Sequence, residues 1–258
     1  MCRSAEGAGD YRQGMPARRT TKTAASAPSG AGGNGDAAPA AGGGDDVDPK
    51  ASRRQERRLL HQDLSRTQLL DAAEEVFGRK GFHATTLKEV AELAEFSVGS
   101  VYSFFENKDD LYLSVFLRRG AEFMPGMREV AQSGRNPLEQ LHALVDYEVG
   151  FFRRHRHFGR LYLRAFSTSR PAPEMPDSPL LSDNLETAME LQASVFARGQ
   201  AGRVLRAGDE MVLARLFSGL VAAYQSLDPA VMSDDPDPEE RLPLADLHEM
   251  IDRAFRRD

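Results

Sequence analysis

The stretch RTQLLDAAEEVFGRKGFHATTLKEVAELAEFSVGSVYSFFENKDDL, residues 66–111, holds three apolar periods separated by turn signals. A first helix is expected from Ser65, which has capping-box spacing to Gln68. Leu69, Ala73, Val76 and Phe77 then share one face at helical spacing, and Gly81 suits the left-handed position that ends such a helix. Thr86 and Glu89 repeat the capping spacing, followed by Leu87, Val90, Ala91 and Ala94 at i, i+3, i+4 and i+7. After a turn at Glu95-Phe96, Ser97 opens a third helix whose inner face is Val98, Val101, Tyr102 and Phe105. Asn107 opens a fourth, with Asp110 at its third position and Leu111 and Val115 facing inward.

Two short amphipathic helices joined by a tight turn and braced by a longer one make a helix-turn-helix. The small side chain of Ala91 lets the pair approach closely. The second helix of such a pair can enter a major groove when its outer face is small and polar, and here that face carries Gly99, Ser100 and Ser103. Tyr102 can reach a phosphate, and so can Lys108 at the start of the next helix. Each has a structural alternative. Thr86 and Ser97 serve equally as helix caps, Tyr102 as packing between the third and first helices, and Lys108 as a solvated charge. Val101 and Phe105 read as core.

Upstream, residues 1–52 are rich in Gly, Ala, Pro, Ser and Thr and have few large apolar side chains, so they are expected to be a disordered tail. Arg53, Arg54, Arg57 and Arg58 follow as a basic arm before the first helix. The net charge of −6 is unusual for a DNA-binding chain. Residues 228–258 alone carry ten acids against four bases, and what meets phosphate is a local face, not the whole chain. The single cysteine, Cys2, can build neither a disulfide framework nor a cysteine metal site. The histidines lack partners at ligand spacing, so no metal and no cofactor are expected. No apolar run suggests a signal segment or a membrane span, and a cytoplasmic protein is expected.

Downstream, helices are expected at about 107–124, 137–157, 158–169, 179–199, 209–227 and 243–256. The 209–227 segment is apolar over a broad face, and its Ala214, Ser218, Gly219, Ala222 and Ala223 permit close helix approach. With Leu244, Leu247, Ile251 and Phe255 of the last helix it can form half of a four-helix dimer interface, or close the monomer core. Candidate lining for an apolar ligand pocket is Phe123, Met127, Tyr147, Phe151, Tyr162, Phe166, Met189 and Phe196, with Met124 and Leu144 beside them; the same residue types also fill cores. Arg153, Arg156, Arg160 and Arg164 form a basic stripe that can hold an anionic ligand, flank DNA or pair with acids elsewhere.

The pattern resembles the TetR family of transcriptional regulators over about fifty residues. The matching positions are 66–73, Phe77, Gly81-Phe82, Ala84-Thr85-Thr86, Val90-Ala91, Ser97, Gly99, Val101-Tyr102, Phe105 and 107–111. The resemblance implies an all-α fold with a three-helix DNA-binding domain at 53–112 and a helical ligand-binding and dimerisation domain at 113–258. It implies DNA contacts by Thr86, Lys88, Ser97, Gly99, Ser100, Tyr102, Ser103 and Lys108. It further implies a homodimer on a palindromic operator and a small-molecule effector that releases it, most simply as a repressor. Glu95 stands where the family usually has Gly, and Phe104 where it often has His. A helical sensor or partner-binding module without DNA binding is the competing reading. No nucleophile-base pairing or phosphate loop suggests an enzyme.

Overall fold

The computed structural model describes residues 49–166, 175–235 and 241–257, and every regular element among them is an α-helix. The expected tail falls almost wholly outside the described residues. Helix α1 runs Pro49–Ala84, beginning well upstream of the expected start at Ser65. The run from Arg53 to Leu64 has no Gly or Pro and is dominated by Arg, Gln, Glu and Leu, which favour helix without any packing partner. Its Leu59, Leu60 and Leu64 are accordingly exposed. Ser65 is therefore not a cap, and its hydroxyl donates back to the His61 carbonyl at 2.8 Å. Regular geometry breaks at Gly81, with φ 79°, and one short turn hooks back over 82–84.

Helices α2 (Leu87–Leu93) and α3 (Val98–Phe104) follow, then α4 (Lys108–Ala131). α4 continues through Pro125, where a stop was expected, because Met127 and Ala131 are buried beyond it. Packing of these last turns outweighs the hydrogen bond that proline removes. α4 also carries the expected boundary between residues 112 and 113 in its interior. The chain then forms α5 (Pro137–Arg154), α6 (Arg156–Ala165), α7 (Pro179–Ala201), α8 (Glu210–Leu227), α9 (Pro229–Met232) and α10 (Leu244–Phe255). The α5–α6 break falls at His155, two residues before the expected break after 157. Gly159 sits inside α6, where an added Cβ would stand 3.0 Å from Val231 and 3.3 Å from Phe152.

Two apolar cores result. The first joins Leu69, Ala73 and Phe77 of α1, Val90 and Ala91 of α2, Val101 and Phe105 of α3, Tyr112 and Phe116 of α4, and Phe158 and Leu161 of α6. The second joins the C-terminal half of α4 to α5, α7, α8 and α10 through Met127, Leu144, Phe196, Phe217, Ile251 and Phe255. α6 thus belongs to the core of the helix-turn-helix, although it lies far downstream in sequence.

Charged groups lock the same arrangement. Glu74 of α1 is buried and accepts from Arg118 Nη2 at 2.8 Å and Arg119 Nε at 2.7 Å, both on α4. The basic stripe resolves mainly into ion pairs with the segment 228–235. Arg153 Nε donates to Asp228 at 2.7 Å, Arg160 Nη1 to Asp234 at 2.6 Å, and Arg156 to the Asp235 carbonyl. Arg164 lies instead near the end of α1, beside Gly81.

Candidate nucleic-acid interface and ligand-domain interior

The local chemistry of the helix-turn-helix follows its caps. Thr86 begins α2 in a full capping box: its hydroxyl accepts from Glu89 N at 3.2 Å, and Glu89 accepts from Thr86 N at 3.0 Å. Ser97 caps α3 by accepting from Ser100 N at 3.0 Å, and Asn107 caps α4 by accepting from Asp110 N at 2.9 Å. Between α2 and α3 the chain turns on Glu95, whose φ of 60° is left-handed. The bond from Phe96 N to the Ala91 carbonyl, 2.8 Å, marks the helix-ending motif that glycine usually fills. A glutamate there costs about 1 kcal/mol of backbone strain.

Val101 and Phe105 anchor α3 in the core, which leaves its other face outward. Ser97, Gly99, Tyr102 and Ser103 are exposed and Ser100 is half-buried. Tyr102 is 57% exposed, so packing against α1 does not claim it. Thr86 and Lys88 are also exposed, with Lys88 3.6 Å from Glu92. Ser97 and Ser100 also meet on this face, their hydroxyls 2.8 Å apart. Lys108 differs from the rest. Its ammonium donates to the carbonyls of Phe82 at 2.9 Å and Thr85 at 3.1 Å and lies 4.2 Å from the Phe82 ring centre. It ties α4 to the end of α1.

The candidate pocket residues divide into two groups. Phe123, Phe151, Tyr162 and Phe166 join through Phe152 into a run of rings, with Phe123–Phe151 at 5.1 Å, Phe152–Tyr162 at 5.2 Å and Tyr162–Phe166 at 4.7 Å. Tyr147 stacks on Phe123 at 5.2 Å and donates to its carbonyl at 2.7 Å. Met127 and Phe196 sit fully buried in the second core, Phe196 against Phe217 and Phe255. Met189 is half-buried on α7.

Reading the sequence missed one polar group in this interior. The inward face of α5 is Leu141, Leu144, Val145, Glu148, Phe151 and Phe152, an apolar period interrupted by one acid. Burial pushes the Glu148 carboxyl up to about 7. Gln192 Nε2 of α7 donates to it at 3.0 Å, and the Gln192 carbonyl accepts from Ser218 of α8 at 2.5 Å. The signal was present: a single carboxylate at a core position of a helix otherwise buried on that face.

Comparison with known proteins places these features. Residues 69–115 match the family model of bacterial regulatory proteins, tetR family. The HTH-type transcriptional activator FasR of Mycolicibacterium smegmatis is 36% identical over 87 residues, 34% of this chain and 40% of that protein. The chain thus matches about two-fifths of that relative's length. Among solved structures, FadR of Bacillus subtilis in complex with stearoyl-CoA superposes with a TM-score of 0.55 at 18% identity, covering 72% of this chain and 94% of that one. A transcriptional regulator of Saccharomonospora viridis in complex with choline gives a TM-score of 0.61 at 17% identity, covering 76% and 100%. These likenesses extend the shared fold beyond the matched domain to the downstream helices.

Proposed function

We propose that this chain, whose residues 69–115 match the family model of bacterial regulatory proteins, tetR family, is a ligand-responsive, DNA-binding transcriptional regulator of the cytoplasm, acting as a repressor. The observation that carries this reading is the outward face of α3, small, polar and uncommitted to the fold. α3 enters the major groove, where Gly99, Ser100 and Ser103 meet base edges. Tyr102, Thr86, Lys88, Ser97 and the remaining donor of Lys108 hold phosphates. Tyr102→Ala should weaken binding to the DNA upstream of its own gene about tenfold, the value of one good polar contact. Its melting temperature should not move, because the side chain is 57% exposed. Wild-type affinity in a gel-shift titration would remove Tyr102 from the interface.

Two recognition helices are needed for a palindrome, spaced by about one DNA turn. α8 supplies the surface for a second copy. Val212, Leu216 and Leu227 are 52%, 56% and 72% exposed along its outer face, and among the described residues nothing lies within 4 Å of where a Gly219 Cβ would stand. Met250 extends the apolar surface on α10 at 50% exposure. Gly219→Glu places a charge where the partner helix desolvates it, at a cost of several kcal/mol. Light scattering should report a monomer for this variant. A persisting dimer places the interface elsewhere.

The effector binds among the rings between α4, α5, α6 and α7, with Phe123, Tyr147, Phe151, Tyr162, Phe166 and Met189 as its walls. An effector that binds best when α1 and α6 set the wrong spacing of recognition helices releases DNA. The two structural neighbours hold stearoyl-CoA, an anion, and choline, a cation. The fold therefore leaves the effector class open, and the interior residues of this chain must set it.

A further inference from the structure

The interior of the ligand domain contains a carboxyl group that the fold does not explain. Glu148 lies on the core face of α5, half-buried among the surrounding helices. A core carboxylate is ordinarily paired with a cation or supplied with several hydrogen bonds. Among the described residues Glu148 has one neutral donor, the Gln192 amide at 3.0 Å. No arginine, lysine or histidine among the described residues contributes to its titration; burial dominates, and Gln192 opposes it. The arginines of the stripe, at Arg153 and Arg160, are committed to Asp228 and Asp234.

The surroundings are organised and not accidental. The Ser218 hydroxyl donates to the Gln192 carbonyl at 2.5 Å, which fixes the amide so that its N–H points at Glu148. One chain of hydrogen bonds, Ser218 to Gln192 to Glu148, thus links α8, α7 and α5. From α6, Tyr162 comes close enough that the Glu148 charge helps raise its phenol, pushed up to about 12 mainly by burial. No hydrogen bond contributes to the Tyr162 titration. Tyr147 on α5 also senses the Glu148 charge. Around them run the rings of Phe152, Phe123 and Phe166.

We propose that Glu148, positioned by the Ser218–Gln192 relay and flanked by Tyr162 and Phe152, is the anchor for the cationic head of an apolar amine or quaternary ammonium effector. This deepens the ligand-responsive reading above and rests on it. A cation is the partner this carboxylate lacks among the described residues, and aromatic faces add attraction for an ammonium while accepting its hydrocarbon part. An anionic effector meets the opposite: two charges of one sign in a desolvated site.

The sign of the pH dependence follows. A cation binds the ionised form of Glu148, so affinity rises with pH through about 7 and falls as the carboxyl protonates below it. From pH 6 to pH 8 the ionised fraction, and with it the affinity, increases about tenfold for a group titrating near 7.

Calorimetric titration of the full chain with hexyltrimethylammonium tests this, with hexanol and hexanoate as neutral and anionic probes of the same chain length. The ammonium should bind at least about tenfold more tightly than hexanol at pH 8, lose that advantage at pH 6, and outcompete hexanoate throughout. Glu148→Gln, which keeps the shape and removes the charge, should abolish both the preference and the pH slope. Equal binding of ammonium and hexanol, a flat pH profile, or full ammonium affinity in Glu148→Gln each overturns the proposal. If that variant melts early, the wild-type probe and pH comparisons still decide. Binding to upstream DNA is measured on the same samples. Intact DNA binding without an ammonium preference removes the site alone, whereas ammonium binding without DNA binding overturns the regulator reading and keeps the site.

Discussion

Arg153→Ala should lower stability by about 3–5 kcal/mol, because it strands a buried charge and not merely because it deletes a bond. Asp228 is completely buried, and its carboxylate accepts from Arg153 Nε at 2.7 Å and from Ala230 N at 3.1 Å, the latter capping α9. Arg153 also donates to the Leu242 carbonyl at 2.9 Å and to the Tyr224 hydroxyl at 3.3 Å, so one guanidinium gathers α8, α9 and the approach to α10 around the end of α5. In a domain of this size the loss corresponds to a fall in melting temperature of about 10 °C or more. The neighbouring Arg154→Ala is the control: that side chain is exposed and should change stability by less than about 0.5 kcal/mol. Adding Asp228→Asn to Arg153→Ala removes the stranded charge while keeping an oxygen for the α9 cap, and should recover a good part of the loss. A single variant that melts with the wild type shows that water satisfies Asp228 from outside.

The helix-turn-helix was legible in sequence because its information is local. Thr86 with Glu89, Ser97 with Ser100, and Asn107 with Asp110 each specify a helix start within four residues, and all three bonds form. The first helix was read too short for the complementary reason. Ser65 looks like a cap, but a favourable helical run precedes it, so the hydroxyl bonds backward to His61. A cap residue stops a helix only when the upstream sequence also disfavours one. Glu95 was legible as a departure, and its φ of 60° shows the strain that glycine would avoid.

The basic stripe and the interior carboxyl were harder because their partners are far away in sequence. Arg153 and Asp228 are separated by 75 positions, so spacing along α5 could not choose among ligand, DNA and acid. Geometry assigns three of the four arginines to the segment 228–235, which also accounts for part of the acidic C-terminal charge. The pocket list mixed core with candidate lining for a similar reason. Phe196 and Phe151 are the same residue type on amphipathic helices, yet Phe196 fills the second core while Phe151 borders the ring cluster near Glu148. A polar residue in an apolar period discriminates better than another aromatic, since burying it has a cost that something must offset.

Gly78→Ala should loosen the crossing of α1 and α6 more effectively than any surface change. Gly78 lies on α1 where that helix crosses α6, and an added Cβ would stand 2.5 Å from the His157 carbonyl oxygen and 2.8 Å from its Cα. Both are backbone atoms, so no side chain can rotate away and α6 must retreat. That retreat opens the first core, where Phe77 and Leu69 of α1 meet Phe158 and Leu161 of α6. Overpacking of this kind costs about 2–3 kcal/mol, and alanine's better helix propensity returns about 1 kcal/mol at most. The site also matters for coupling. On the proposed function, α1 braces the recognition helix α3, while α6 carries Tyr162 near Glu148, so the Gly78 crossing is where an effector's displacement would reach DNA. The variant should therefore melt several degrees lower and, in the same preparation, show a weaker effect of bound ammonium on DNA affinity. An unchanged melting temperature means that α1 and α6 already slide freely, and that the crossing does not transmit the signal.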